Sequence, residues 1–386
     1  MRKPPRKPRE IRLEAGAIEA HRQIYFSTQP DRRYPKMKLK KLATSALLAG
    51  SFLFALASTA QAAEEVKISG FTWPGYGFWF IAKDQNLSPN LDINYQTIED
   101  PYESYNLVTA DRMDVVSSTV EFSPIAAERG MPLKLVAFAN LSYGTDKIVV
   151  APGIDGPADL KGKKVAVVEG GLAQIYVAMW LERNGYPFDS VQYRNIIADD
   201  AFAAMIGGDV VASEFWEPYG SNVLKALEGS KVLSQSREDY WTSKAVIADG
   251  LYMNARFIEE RRDVALDTMR ALYDAIAWWK KNPVQGNEII AKGMKMSIAD
   301  VELVIGKDGS GLDGGLYIYD FMEAARFCGA APGNPPFNQT NGQMRSHYEL
   351  MSDWWLKFGF LETRNPYEKG VDCSLHKELY DSGYRG

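Results

Sequence analysis

The side chains able to do chemistry gather at a few places in this chain, each where an apolar run gives way to glycine, hydroxyl, carboxylate or indole. The first is the segment 71–80, FTWPGYGFWF, in which six of ten residues are aromatic. Pro74, Gly75 and Gly77 exclude a regular element through its middle, so it reads as a loop entering a helix that ends near Lys83. Trp73 and Tyr76 are then placed for ligand contact, while core packing suits Phe78, Trp79 and Phe80. The second, DVVSSTVEF, is a buried strand ending in Ser118, Thr119 and Glu121; a helix N-cap role suits the two hydroxyls equally well. The third, VAVVEGGLAQ, runs a short strand through Gly170 and Gly171 into a helix that starts at Leu172. The fourth, EFWEPYG, carries Glu214, Trp216 and Glu217 at another strand end. Such ends are where α/β folds hold ligands.

A glycine turn feeding a helix presents free backbone N–H groups, which suits an anion or a polar ligand head. Glu169 directly precedes the turn, however, and competes for the positive end of the helix. Catalytic machinery is not legible. The three histidines, His21, His347 and His376, do not form a metal-site pattern. There is no phosphate loop, nucleophile elbow or dinucleotide fingerprint, and no carboxylate pair is spaced for acid–base work. The residues point to binding without turnover, with no cofactor and no metal.

The elements that must position these groups alternate between strand and helix up to residue 256. Strands are expected at 66–69, 91–97, 113–118, 133–138, 147–150, 165–168, 190–196 and 247–253. Between the fourth and fifth of these, the polar run 140–146 reads as a crossover from one half of the fold to the other. Beyond Arg256 the pattern becomes long amphipathic helices at 261–281, 283–292, 297–304, 317–327 and 343–358.

The N-terminal residues differ from the rest. Residues 1–36 are basic, proline-rich and aperiodic, and read as an upstream extension. Residues 37–62 have the build of a signal peptide: MKLKK, an apolar stretch, and Ala60-Gln61-Ala62 before Ala63. Residues 1–62 hold 13 of the 44 Lys and Arg but 4 of the 49 Asp and Glu, leaving 31 basic against 45 acidic side chains beyond them. A chain this acidic is a poor partner for nucleic acid. Cys328 and Cys373 are the only cysteines. In an oxidising compartment they can pair, which in the chain-entropy account stabilises by roughly 4 kcal/mol; two separate buried thiols are the alternative.

In order and spacing, WPGY followed by AK, DVVSSTVEFSPIAAERGMPLKLVA, DLKGKKVAVVEGG, the WEP at 216–218 and KKNP at a helix end resemble the periplasmic substrate-binding proteins of nitrate, sulfonate and taurine ABC transporters. Thiamine-pyrimidine precursor proteins are of the same type. The resemblance spans 66–361 and implies an α/β, type II periplasmic-binding fold. That fold has two mixed sheets flanked by helices and a ligand cleft at a two-strand hinge. It further implies lobes at 63–145 with 246–386 and at 146–245, a periplasmic monomer, and transient partnership with a permease and its ATPase. The ligand positions it implies fall on Trp73, Tyr76, Ser118, Thr119, Glu121, Gly170, Gly171, Leu172, Trp216 and Glu217.

One departure bears on the ligand. Sulfonate and nitrate members usually place hydroxyl, histidine or basic groups at the second-lobe turn, where this chain has Glu169, two glycines and Leu172. Glu121, Glu214 and Glu217 with Trp73, Tyr76 and Trp216 suit an amine, guanidino or heterocyclic solute, through charge complementarity and cation–π contact. Alternatively, these glutamates face solvent or pair with Lys163, Lys164 or Lys244, and the solute is a sulfonate, taurine or nitrate. Sensing in place of uptake, and a pyrimidine-precursor synthase-like enzyme, are the other readings. The latter lacks its cysteine cluster here.

Overall fold

Eleven strands in two mixed sheets organise residues 62–386, the part that the computed structural model describes. The upstream extension expected at 1–36 and, apart from Ala62, the signal peptide expected at 37–62 lie outside the described residues. In chain order the strands are β1 (Glu64–Gly70), β2 (Leu91–Thr97), β3 (Val115–Thr119), β4 (Leu133–Ser142), β5 (Lys147–Val150) and β6 (Lys164–Val167). They continue with β7 (Gln192–Asn195), β8 (Ala212–Phe215), β9 (Lys231–Gln235), β10 (Ala248–Asn254) and β11 (Leu316–Ile318). The first sheet has the order β11-β4-β10-β3-β1-β2 and the second β7-β6-β8-β5-β9. In each, βαβ units supply the parallel pairs and the strands nearest the crossing supply the antiparallel ones.

The chain passes from the first sheet to the second between β4 and β5 and returns between β9 and β10. The first crossing is shorter than the polar run 140–146 suggests. Asn140, Leu141 and Ser142 still belong to β4, pairing with both β10 and β11, so only residues 143–146 cross. The polar side chains of Asn140 and Ser142 are therefore held at a strand end and not on a linker. The two crossings are tied together. Ser142 Oγ lies 2.7 Å from Thr145 Oγ1 and 2.6 Å from Ser236 Oγ on the return path, while the Ser236 N–H donates to the Asp146 carbonyl at 3.0 Å.

Strand β10 is the axis of the first sheet. All seven of its residues are buried, and it pairs antiparallel with β3 on one side and β4 on the other. Gly250 is needed for that closeness, since a Cβ there would lie 2.7 Å from the Ala137 carbonyl. The helix Arg262–Lys281 buries the face of Leu266, Met269, Tyr273, Ile276 and Trp279, as its periodicity predicts. A second helix expected at 317–327 starts only at Phe321. Leu316–Ile318 is instead strand β11, because its apolar residues extend the sheet edge at β4 and Asp320 caps the helix behind it. Cys328 and Cys373 form a disulfide, joining the helix at 321–327 to the C-terminal segment.

Candidate functional site

The carboxyl ends of β3 and β8, the start of β10 and the turn after β6 converge on one cavity of about 120 Å³ between the two sheets. Its position follows from register: Asp249 on β10 stands opposite Thr119 on β3 and Asn140 on β4, so three polar side chains meet at one end of the first sheet. Asp249 is held by two aromatic donors of the 71–80 loop, the Trp73 indole at 2.7 Å and the Tyr76 hydroxyl at 2.9 Å. Glu121 follows β3 in a short 3-10 turn and accepts from Thr119 Oγ1 at 2.8 Å. From the second sheet come Glu214 on β8 and Asp146 at the entry to β5. Asp146 accepts from Thr145 Oγ1 at 2.7 Å and from Ser142.

All four carboxyls are buried, at 2% to 6% exposure. Removal from water disfavours the charged form of a carboxyl, and three of them are raised by it. Burial pushes the Glu121 carboxyl up to about 7, against the Thr119 hydrogen bond and the backbone amide of Leu172. It also pushes Asp249 up to about 7, against the donors Trp73 and Tyr76. Glu214 is raised well above the carboxylate range by burial first and then by neighbouring Asp146. Among the described residues no Lys, Arg or His lines the cavity; the exposed acids Glu99 and Asp199 also border it, and the remaining wall is largely aromatic and aliphatic, including Phe71, Tyr102, Tyr105 and Trp216. Among the described residues no group of three His, Cys, Asp or Glu could hold a metal ion.

Seven of the ten site residues read from the sequence line this cavity: Trp73, Thr119, Glu121, Gly170, Gly171, Leu172 and Trp216. Three do not. Tyr76 is buried behind the wall, with its hydroxyl spent on Asp249. Ser118 is fully buried, and its Oγ lies 2.7 Å from the Tyr105 hydroxyl. Alternation along β3 turns it away from the side that Thr119 faces. Glu217 is turned to Lys147 Nζ at 2.5 Å and accepts from the Ser221 amide at 3.0 Å. That pairing is local, as the alternative reading of the glutamates allows, but with a different lysine. It also ties up a cation close to the crossing.

The glycine turn differs in detail from its expected use. Gly170 has φ +75°, a conformation that favours glycine, and its position receives a side chain from across the cleft. Tyr102, on the helix Pro101–Thr109 after β2, donates its hydroxyl to the Glu169 carbonyl at 2.9 Å. The Glu169 side chain is exposed, so the acid at the start of the helix Leu172–Arg183 is Glu121 from the opposite sheet. Phe71 and Trp216 make a second contact across the mouth, with ring centroids 5.9 Å apart. Asp146, Asp249 and Asn140 were missed from the sequence. Asn140 and Asp146 lie inside the run 140–146 read as a crossover and Asp249 inside an expected strand, and only strand pairing brings them to the cavity.

Two mixed sheets, two crossings and a cavity between them define the periplasmic-binding-protein architecture. The chain belongs to the NMT1/THI5-like family, whose model matches residues 87–286. It is similar in fold to the alkanesulfonate-binding protein of Xanthomonas axonopodis pv. citri (TM-score 0.63, 16% identity, 81% of this chain and 99% of that one). It is likewise similar to the periplasmic nitrate-binding protein of Synechocystis (TM-score 0.63, 13% identity, 83% and 89%). At these identities the likeness is one of fold. A Brucella abortus protein named as a candidate binding protein is 24% identical over 169 residues, 44% of this chain and 52% of its own length. An Escherichia coli protein named as a candidate aliphatic sulfonate-binding protein is 29% identical over 184 residues, 46% of this chain and 55% of its own. The chain thus spans about half the length of the curated relatives it matches. Among the described residues no helix is long and apolar enough to cross a membrane.

Proposed function

We propose that this chain is the periplasmic solute receptor of an ABC-type import system. Residues 63–145 with 246–386 form one lobe and 146–245 the other, and the lobes close on a small nitrogen-containing solute that is handed to a membrane permease and its ATPase. The receptor role is supported by the family, by the fold and by the relatives, which are named as binding proteins. A solute touching both sides of the cleft favours the closed form by its differential affinity for it, and a permease can read that population shift.

The nature of the solute rests on one observation: among the described residues, four buried carboxyls and no basic side chain line the cavity. An anion entering that wall meets acids that ionise beside it, whereas an amine, guanidino or protonated heterocyclic group finds charge partners and the indole faces of Trp73 and Trp216. The names of the sulfonate- and nitrate-binding relatives favour a second reading, an anionic solute. In that reading Glu121, Glu214 and Asp249 stay protonated and donate hydrogen bonds.

A thermal-shift screen with amines, guanidino compounds, pyrimidines, sulfonates and nitrate separates these readings. A ligand at a hundred times its Kd stabilises by roughly 2.7 kcal/mol. Shifts with nitrogenous cations are expected. Shifts with sulfonates or nitrate alone overturn the charge assignment and leave the receptor role. Slow turnover of a bound solute, in place of its unchanged release, overturns the non-enzymatic reading.

A further inference from the structure

We infer that the cavity takes a compact organic solute with two separated cationic nitrogen groups, one held by Glu121 and Asp249 on the first sheet's side and the other by Glu214 and Asp146 on the second's. The inference rests on the reading of this chain as a solute receptor and names the shape of its ligand.

The four buried acids are distributed two and two across the cleft, with Glu99 and Asp199 exposed at its border. Glu121 and Asp249 extend from the ends of β3 and β10, while Glu214 and Asp146 belong to β8 and the entry to β5. Each side keeps an acceptor without a partner: Glu121 Oε2 and Glu214 Oε1, on two residues that line the cavity, are buried and have no hydrogen-bond partner among the described residues. On Asn140, also in the wall, the acceptor Oδ1 and the donor Nδ2 likewise have no partner among the described residues. Buried acceptors without partners are costly, so a ligand that supplies N–H donors to both recovers more than one that reaches a single side.

A metal ion does not meet this description, because among the described residues no three acids converge closely enough to ligate one. A monoamine satisfies one side and leaves the other acid pair buried and unpaired. An α,ω-diamine reaches both, with its methylene chain against the aromatic wall of Phe71, Trp73 and Trp216.

Calorimetric titration of the purified protein with 1,4-diaminobutane, n-butylamine and butane-1-sulfonate tests this directly. The diamine is expected to bind at least about tenfold more tightly than butylamine, the ratio of one extra charge-assisted hydrogen-bonded end. In Glu214→Gln that ratio is expected to fall below about threefold. Glu121→Gln should do the same from the other side, and far-UV melts check that both variants fold. Equal affinities for the two amines, or binding of neither, overturn the two-ended inference. If another solute class still shifts the melting temperature, the receptor reading survives that failure. Binding of the sulfonate alone overturns both the inference and the cationic assignment.

Discussion

Tyr102 and Gly170 meet across the cleft: the phenol that donates to the Glu169 carbonyl sits where a Cβ on Gly170 would be. One residue belongs to the helix after β2 and the other to the turn after β6, so the contact exists only when the two sheets are brought together. It converts a turn that looked like a ligand platform into part of the closing surface. Closure contacts absent from an open form add directly to the apparent affinity for solute.

Replacing Tyr102 by Phe removes one hydrogen bond worth about 1 kcal/mol, and the Kd for solute should rise about fivefold. Gly170→Ala should cost more, since it adds both a collision with the hydroxyl and a side chain at φ +75°. Because Phe removes the colliding atom, the double variant should bind better than Gly170→Ala alone. Simple additivity in a double-mutant cycle would show that the two positions do not meet.

Trp216 is half-buried and bridges Phe71 and Tyr219, with centroids 5.9 and 5.5 Å away. Trp216→Ala should weaken solute binding by about tenfold or more through loss of an aromatic anchor, with a small change in melting temperature. Full affinity in calorimetry would remove it from the site.

Glu121 and Asp249 give the ligand-free protein a defined pH response. Their native carboxyls titrate near 7 because they are buried, against about 4 when unfolded, so between these values the native state holds more protons. Their contribution is therefore greatest in acid, falls as pH rises from about 4 to 7, and amounts to roughly 4 kcal/mol for each. His347 and His376, lowered by burial to about 3 and 4, act in the opposite direction below about 6.5. The difference between wild type and Glu121→Gln isolates the carboxyl: the variant's advantage in denaturant melts should grow from pH 5 to 8. By the same linkage, binding of an amine should tighten over pH 6 to 8 as these acids lose their protons.

The disulfide closes a separation of 45 residues between a helix end of the first sheet's layer and the C-terminal segment. Cys328→Ser with Cys373→Ser should destabilise by about 4 kcal/mol in the chain-entropy account. Solute affinity should change little, because neither cysteine lines the cavity. An unchanged denaturation midpoint under reducing and oxidising conditions would count against the bond.

Local pattern was enough wherever an element is decided by its own residues. The run 164–167 with its glycine turn, the apolar stripe of 262–281 and the aromatic loop with its proline and glycines are legible because periodicity and backbone restriction act within a few residues. So was the acidic and aromatic character of the site, through Glu121, Trp73 and Trp216. Pairing partners were not. Trp73 finds Asp249 at a separation of 176 residues, and Glu217 finds Lys147 at 70.

The sequence by itself therefore determined the alternation of strands and helices, the family likeness and the residue types at the strand ends. Only the tertiary structure decided which acids face inward: Glu214 rather than Glu217 on β8 and its following turn, and Asp249 and Asp146 in addition. The reason is physical. A strand's own pattern sets which residues share a face. The register with β3, β4 and β5 sets where that face ends, and the two crossings set what it meets.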